Sequence, residues 1–379
     1  MRDIVVFIMP LGGGLFAKKA TKSSGGAERQ MYLFGRVLSK HGYIVKYCIK
    51  RSTTIEDVQD SQNVFSLPMR HFGGSIFWFP LDVLQLLIRL ITLRPKWVVV
   101  RTAPQFALPV LLARIFDIRL IMWGQTSTSF DRVVRGEPLP WRLIRHWAIR
   151  KAKLCICQTQ DQTRRLKQSF GRDGILIRNI TISGDARSED FSKVMVPRPY
   201  ILWVGNATAN KRADVVVELA RMMKEHTFAV AMNPGDESIW KRVESAAAEL
   251  PNLVFLGVID SNKIDSYFAG CQLLVHTAIR EGFPNVYLQA WQYGKPVVSV
   301  NIDPDSVLKE HGLGICAFAD DSHLAKSSTE LATELRSHIE SLLLSDFRSI
   351  GVRCREYIAR YHSVEVCVGK LISVIEKSS

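Results

Sequence analysis

Glu281 and Gln289 are polar side chains that can face whatever the start of a helix holds, and Lys211 is a cation in a second polar run. Glu281 lies in the polar run Arg280-Glu281-Gly282-Phe283-Pro284-Asn285, and Gln289 follows about one helical turn later. A carboxylate accepts hydrogen bonds from hydroxyls, and a primary amide both accepts and donates. Lys211 sits in a second polar run, Gly205-Asn206-Ala207-Thr208-Ala209-Asn210-Lys211-Arg212-Ala213-Asp214. Its ammonium is a compact charge that suits a phosphate oxygen. Backbone amides at 284–287, if they open a helix, add a second anion-binding element.

These residues need scaffolding that brings the two runs together. Leu273 to His276 is a short apolar run with the length of a buried strand. Asn285 is a good helix N-cap, and Pro284 biases the residue before it away from helix. A helix is then predicted over Val286 to Tyr293, with Gly294 as its C′ stop and Pro296 beyond. Val297 to Val300 reads as the next buried strand. Tyr200 to Val204 is a strand that feeds the Lys211 run, and Val215, Val216, Leu219 and Met222 mark the helix after it. An ordinary βαβ unit with a polar loop produces the same pattern, so elements alone leave the function open.

The order of residues goes further. Glu281-Gly282-Phe283, then Gln289-Ala290, then Gly294-Lys295-Pro296-Val297 resembles the donor-site motif of the family 4 retaining, nucleotide-sugar-dependent glycosyltransferases. That motif reads Glu-Gly-Phe-x-x-x-x-x-Glu-Ala with a Gly-x-Pro-Val strand, so Gln289 replaces its second acid. The resemblance implies an α/β protein with two Rossmann-like domains facing a central cleft (GT-B). It implies that Glu281 contacts hydroxyls of the transferred sugar and that position 289 binds the ribose diol. Lys211 matches the lysine that clamps the donor diphosphate. Asn206 stands where that family has an arginine, a role Arg212 is expected to take over. Gly205, Gly282, Phe283, Pro284 and Asn285 complete the donor loops, and Val258 lies beside the nucleobase.

The first half begins with a strand, Ile4 to Ile8, and the glycine run Gly12-Gly13-Gly14. A loop with Lys18, Lys19 and Lys22 follows, then Gly25-Gly26-Ala27-Glu28 at the start of a helix with Met31, Phe34, Val37 and Leu38 on one face. The run lacks Gly-x-Gly-x-x-Gly, and no acid follows the strand Ile44 to Ile49, so a dinucleotide is not the expected ligand. The Gly26 box resembles the same glycosyltransferases, whose glycine loop approaches the donor phosphates. Gly13, Gly14 and Gln125 are the candidate acceptor contacts. In the family a histidine often touches the donor sugar near Trp123-Gly124-Gln125-Thr126, and none stands there. The implied division is an acceptor-side domain over 1–180, a linker over 181–199, a nucleotide-sugar domain over 200–355 and a C-terminal helix over 356–379 that returns to the first domain.

Composition bounds the remaining possibilities. The chain has 379 residues, 47% of them hydrophobic, which suits two cores and excludes disorder. Its seven cysteines show no metal-ligand spacing. With no signal peptide visible, a reduced, cytoplasmic protein is expected. No Asp-x-Asp pair of the metal-dependent kind appears. Neither a bound metal nor a cofactor is therefore expected, and the nucleotide sugar is a substrate. The formal charge of +14 is concentrated: residues 1–180 carry 29 Lys and Arg against 11 Asp and Glu. Residues 76–93 are apolar but broken by Pro80, Asp82, Gln85 and Arg89. Residues 132–153 interleave Trp141 and Trp147 with Arg142, Arg145 and Arg150. Such a surface suits lipid head groups or an anionic acceptor, at the inner face of a membrane. No nucleic-acid-binding module is recognisable.

The expected activity is therefore metal-independent transfer of a sugar, with retention, from a nucleotide donor to a saccharide or lipid-linked acceptor in surface polysaccharide synthesis. A catalytically inactive glycosyltransferase-like binding protein and a nucleotide-sugar epimerase of the same architecture stay open.

Overall fold

The computed structural model describes residues 3–16, 26–51, 63–69, 76–101, 104–134, 136–181, 196–260 and 263–378. The chain divides into two compact units, Met1–Ile180 with Val364–Ser379, and Thr181–Ser363.

The first unit runs β1 (Ile4–Ile8), α1 (Gly26–Lys40), β2 (Ile44–Lys50), β3 (Val64–Leu67), α2 (Phe79–Leu93), β4 (Trp97–Val100), α3 (Ala107–Leu112), β5 (Arg119–Trp123), α4 (Leu139–Lys151), β6 (Leu154–Cys157), α5 (Gln160–Phe170) and β7 (Ile175–Leu176). All pairings in its sheet are parallel, in the order β3-β2-β1-β4-β5-β6-β7. Strands β4 and β6 are buried at every position, which is why they read as unbroken apolar runs rather than alternating ones.

The second unit runs β8 (Tyr200–Asn206), α6 (Ala213–Met222), β9 (Thr227–Asn233), α7 (Glu237–Glu249), β10 (Leu253–Gly257), α8 (Ile264–Gly270), β11 (Leu273–His276), α9 (Asn285–Gln292), β12 (Val297–Ser299), α10 (Val307–Glu310), β13 (Gly314–Cys316), α11 (Ser328–Leu343) and α12 (Phe347–Tyr361). Its sheet is also parallel, in the order β10-β9-β8-β11-β12-β13. The last helix, α13 (Val364–Lys377), belongs to the first unit. It packs Cys367, Val368, Leu371 and Ile375 into the core that contains Met31, Phe34 and Leu38 of α1.

Both units are thus Rossmann-like, and each sheet reverses its strand order once, between β1 and β4 and between β8 and β11. Ligands of open α/β sheets bind at the carboxyl ends of the strands flanking such a reversal. This rule singles out the loops after β8 and β11, which carry Lys211 and Glu281.

Several local expectations shift. Pro284, not Asn285, occupies the N-cap of α9, and no side chain caps that end. Proline's fixed φ suits this site, so Asn285 becomes the first helical residue. Gly294 ends the helix with φ +69, where an added Cβ would collide with Arg355 and meet Gly351 of α12. The returning segment starts at Val364 rather than 356. Residues 356–361 finish α12, whose Tyr357 meets Trp291 of α9 edge to face at 5.4 Å and ties it to the second unit. Strand β3 has no counterpart in the sequence reading. The apolar segment 76–93 becomes a short 3-10 turn followed by α2. Lys18, Lys19, Lys22 and most of the 181–199 linker lie outside the described residues. No helix among the described residues is long and apolar enough to cross a membrane.

Candidate active site

The loop after β8 and the loop after β11 are built as one piece. Asn210 is the clamp. Its carbonyl accepts from the Ile279 amide at 2.9 Å, its Oδ1 accepts from the Arg280 amide at 3.1 Å, and its Nδ2 donates to the Arg280 carbonyl at 3.0 Å. Thr277 adds a second tie. Its hydroxyl donates to the Lys211 carbonyl at 2.6 Å and accepts from Trp203 Nε1 at 2.8 Å. The result is an ion pair between Lys211 Nζ and Glu281 Oε1, with the two side chains only 20% and 23% exposed. A cation and an anion from opposite sides of the strand-order reversal therefore sit together, aimed by neutral hydrogen bonds that neither must break to bind a ligand.

The other donor-site expectations fall around this pair. Asn206 ends β8, and its Oδ1 accepts from Asn233 Nδ2 at 3.2 Å. Arg212 opens α6 from a left-handed conformation and is held by Asp214 at 3.0 Å, so its charge already has a partner. At Gly205 a Cβ would press on the Trp203 ring, which keeps Trp203 in reach of Thr277. Gly282, Phe283 and Pro284 are buried. The Phe283 ring lies against His362 at 4.9 Å and Trp291 at 6.2 Å, so its side chain is core and it serves the site by fixing the loop. Val258 is 52% exposed at the carboxyl end of β10, the edge strand. Gln289 faces inward from α9, and its Nε2 is buried without a hydrogen-bond partner among the described residues.

Two further groups share that feature. His276 Nε2 and Asn301 Oδ1, at the ends of β11 and β12, are also buried and unpartnered among the described residues. Buried polar atoms are normally satisfied. These three lie on α9, at the end of β11 and just after β12. His276 was hidden in the sequence as the last residue of an apolar run. Asn210 and Thr277 were hidden because hydrogen-bonding roles leave no spacing signal.

Burial, and secondarily the Lys211 charge, push the His276 pKa well below its ordinary 6.5. Its Nδ1 lies 3.3 Å from Tyr287 Oη, which itself donates to the Ile302 carbonyl at 2.7 Å. The tyrosine oxygen is thus free to accept from Nδ1–H, which leaves Nε2 with the lone pair. The unfolded chain binds a proton at this histidine before the folded chain does. The stability it confers is therefore full above about pH 6.5 and is lost as pH falls below that. Relative to His276→Leu, the wild type should lose up to about 1.4 kcal/mol more per pH unit in that range. Parallel urea-denaturation curves for the two proteins from neutral to mildly acidic pH would contradict this.

The one Asp-x-Asp of the sequence, Asp303-Pro304-Asp305, is put to structural use. Asp303 accepts from the Leu308 amide at 2.7 Å and the Lys309 amide at 3.4 Å at the start of α10. All seven cysteines are free. Burial raises the thiol pKa of Cys155 to about 11 and of Cys157 to about 12, consistent with core positions in β6. A groove of about 670 Å³ along α6 and α7 shares Arg212 with the site, but helix-surface side chains form most of its lining.

In the first unit, Gly13 and Gly14 lie in a 3-10 turn after β1, and Gly26 opens α1. Gln125 follows β5, where its amide donates to Ser129 Oγ at 2.9 Å. These positions occupy the carboxyl end of the sheet.

Residues 198–334, the segment that holds both loops, match the family model described as glycosyl transferases group 1. A search of curated proteins finds no relative. The fold is that of GT-B glycosyltransferases. Sucrose-phosphate synthase from Thermosynechococcus elongatus superposes with a TM-score of 0.78 at 16% identity, covering 100% of both chains. The catalytic domain of starch synthase IV from Arabidopsis thaliana, bound to ADP and acarbose, gives 0.68 at 11% identity, covering 100% of this chain and 99% of that one. The lipopolysaccharide outer core galactosyltransferase WaaB gives 0.66 at 14%, covering 99% and 100%. At these identities the structural likeness speaks for the fold.

Proposed function

We propose that this glycosyltransferase moves a sugar from a nucleotide-diphosphate donor to a saccharide or lipid-linked acceptor, with retention and without a metal ion. The observation that carries the reading is the Lys211–Glu281 pair at the β8/β11 reversal, inside the segment that matches the family model. On donor binding, Lys211 exchanges its carboxylate partner for the departing diphosphate. Stabilising charge that develops on a leaving group is usually the largest catalytic contribution. Glu281, released, accepts hydrogen bonds from hydroxyls of the transferred sugar. The leaving phosphate oxygen takes the acceptor proton, so no protein base is required. Gly205, Asn206, Gly282, Pro284 and Asn285 shape the donor loops. A screen of labelled nucleotide sugars with saccharide and lipid-phosphate acceptors tests the reading. Absence of turnover together with tight nucleotide binding would favour the inactive binding protein, to which Gln289 and Asn206 lend some support.

Gln289 is assigned to the ribose diol, whose oxygens would satisfy its buried Nε2. A carboxylate makes hydrogen bonds roughly twice as strong as a neutral amide does. Gln289→Glu is therefore expected to tighten UDP or GDP binding about tenfold, as about 1.4 kcal/mol does. Unchanged or weaker binding by titration calorimetry would remove Gln289 from the ribose.

The place of action is proposed to be the inner face of a membrane, in surface polysaccharide assembly. Helix α2 buries Val83, Leu86 and Leu90 but, with the turn before it, exposes Phe77, Leu81, Leu84 and Ile88 in a row. Helix α4 exposes Leu139, Leu143 and Trp147, carries Arg142, Arg150 and Lys151, and contains no acid. Phe79 and Trp141 meet at 4.6 Å and link the starts of the two helices. Each basic residue near an anionic bilayer contributes about 1 kcal/mol. Flotation with phosphatidylserine vesicles should succeed at low salt and fail as salt rises. No flotation at low salt would contradict the membrane assignment and leave transferase activity untouched.

A further inference from the structure

Arg101 is the first residue after β4 and stands at the strand-order reversal of the first sheet, the counterpart of Thr277 after β11 in the second. It is only 6% exposed. Its Nη2 donates to Asn179 Oδ1 at 3.1 Å, and its guanidinium lies 5.5 Å from the centre of the Trp123 ring. Asn179 is itself placed by its neighbour. Gln30 of α1 exchanges two hydrogen bonds of 2.8 Å with the Ile180 backbone. The guanidinium is thus clamped on two sides, yet its Nε and Nη1 are buried with no hydrogen-bond partner among the described residues.

A buried arginine normally saturates its fork, because an unpaired buried charge is strongly unfavourable. Glu28, 2% exposed on α1, is near enough to stabilise the charge but makes no bond to Nε or Nη1. Burial lowers the Arg101 pKa to about 10, with Glu28 opposing, so the group remains a cation at neutral pH. Nε–H and Nη1 lie on opposite edges of the guanidinium, so each offers its own donor to an anionic oxygen.

We propose that Arg101 is the anchor of a phosphate-binding site at the carboxyl end of the first sheet. The site takes a phosphate oxygen at Nε–H, with Trp123 and Asn179 fixing the plane of the guanidinium. The inference rests on the proposed function only for the source of that phosphate, which is either the acceptor or the donor diphosphate. A structural arginine, by contrast, would have its donors satisfied within the fold.

The test uses the full chain with inorganic phosphate, UDP and GDP as probes. In protein labelled at arginine nitrogen, the Arg101 Nε–H resonance, identified by its loss in Arg101→Lys, should shift saturably with inorganic phosphate. Arg101→Met, of similar length and without charge, should keep or raise the melting temperature and weaken phosphate binding at least tenfold. If UDP and GDP bind Arg101→Met as they bind the wild type, the phosphate comes from the acceptor. A tenfold loss of nucleotide affinity assigns it to the donor. A resonance that ignores inorganic phosphate, UDP and GDP alike overturns the proposal, whether or not the methionine variant folds. So does an Arg101→Met protein that melts cooperatively and binds phosphate with wild-type affinity. Failure of sugar transfer alone would leave the phosphate result standing.

Discussion

Replacing Lys211 with alanine is expected to lower kcat/KM for sugar transfer by about 10²–10³, the effect of removing one preorganised group that stabilises developing charge. The loss should appear mainly in kcat, because the diphosphate carries most negative charge as it leaves. The fold should survive. Lys211 takes part in the loop architecture through its carbonyl, which Thr277 holds, and Asn210 clamps the opposite loop without either charged group. Alanine does leave Glu281 without its cation at 23% exposure, a change solvent can compensate. Glu281→Ala should also lower kcat by orders of magnitude, through lost orientation of the sugar. Asn210→Ala is a sensitive companion: both charges remain, but their loops lose two side-chain hydrogen bonds. Wild-type kcat/KM in Lys211→Ala, measured in a coupled assay for nucleotide release, would exclude the assigned role.

A chain that stops before Val364 is expected to lose cooperative folding of the first domain. Val368, Leu371 and Ile375 are each about 1% exposed in a core shared with α1. Burying such a side chain contributes about 1.5–3 kcal/mol, so the three together supply roughly 5–9 kcal/mol. A domain's whole stability is about 5–15 kcal/mol. Arg119 adds a hydrogen bond of 2.8 Å to the Ser378 carbonyl. The second domain keeps its sheet and the α9–α12 contact, because neither uses α13. Hydrogen exchange should therefore show α1, β1 and β2 unprotected and β8, β9 and β11 protected. Full protection of α1 in the truncated chain would contradict this.

Much of the second domain is legible in the sequence because its signals are local. Buried parallel strands such as Leu273–His276 and Val297–Ser299 are uninterrupted apolar runs, and Gly294 announces a helix end by the backbone it permits. The N-cap of α9 differs from the expectation because Asn285 has the better side chain while Pro284 has the better φ. Strand β3 was not legible: its four residues, Val64–Leu67, carry too short a pattern. The charged pair was legible one residue at a time, but not as a pair. Lys211 and Glu281 are distant in sequence, and only the order β8-β11 in the sheet brings them together. Arg101 was invisible for the opposite reason. A lone arginine after a strand is unremarkable until its burial and open donors are seen.

The most direct test of the account is nucleotide release. Purified wild-type protein is incubated with radiolabelled UDP- and GDP-sugars in the presence of lipid-phosphate and saccharide acceptors, beside Lys211→Ala. The account predicts that one donor yields free nucleoside diphosphate and a labelled acceptor in equal amounts, and that the variant yields at least a hundredfold less at the same protein concentration. Equal release by both proteins, or nucleotide release with no acceptor labelled, would contradict it.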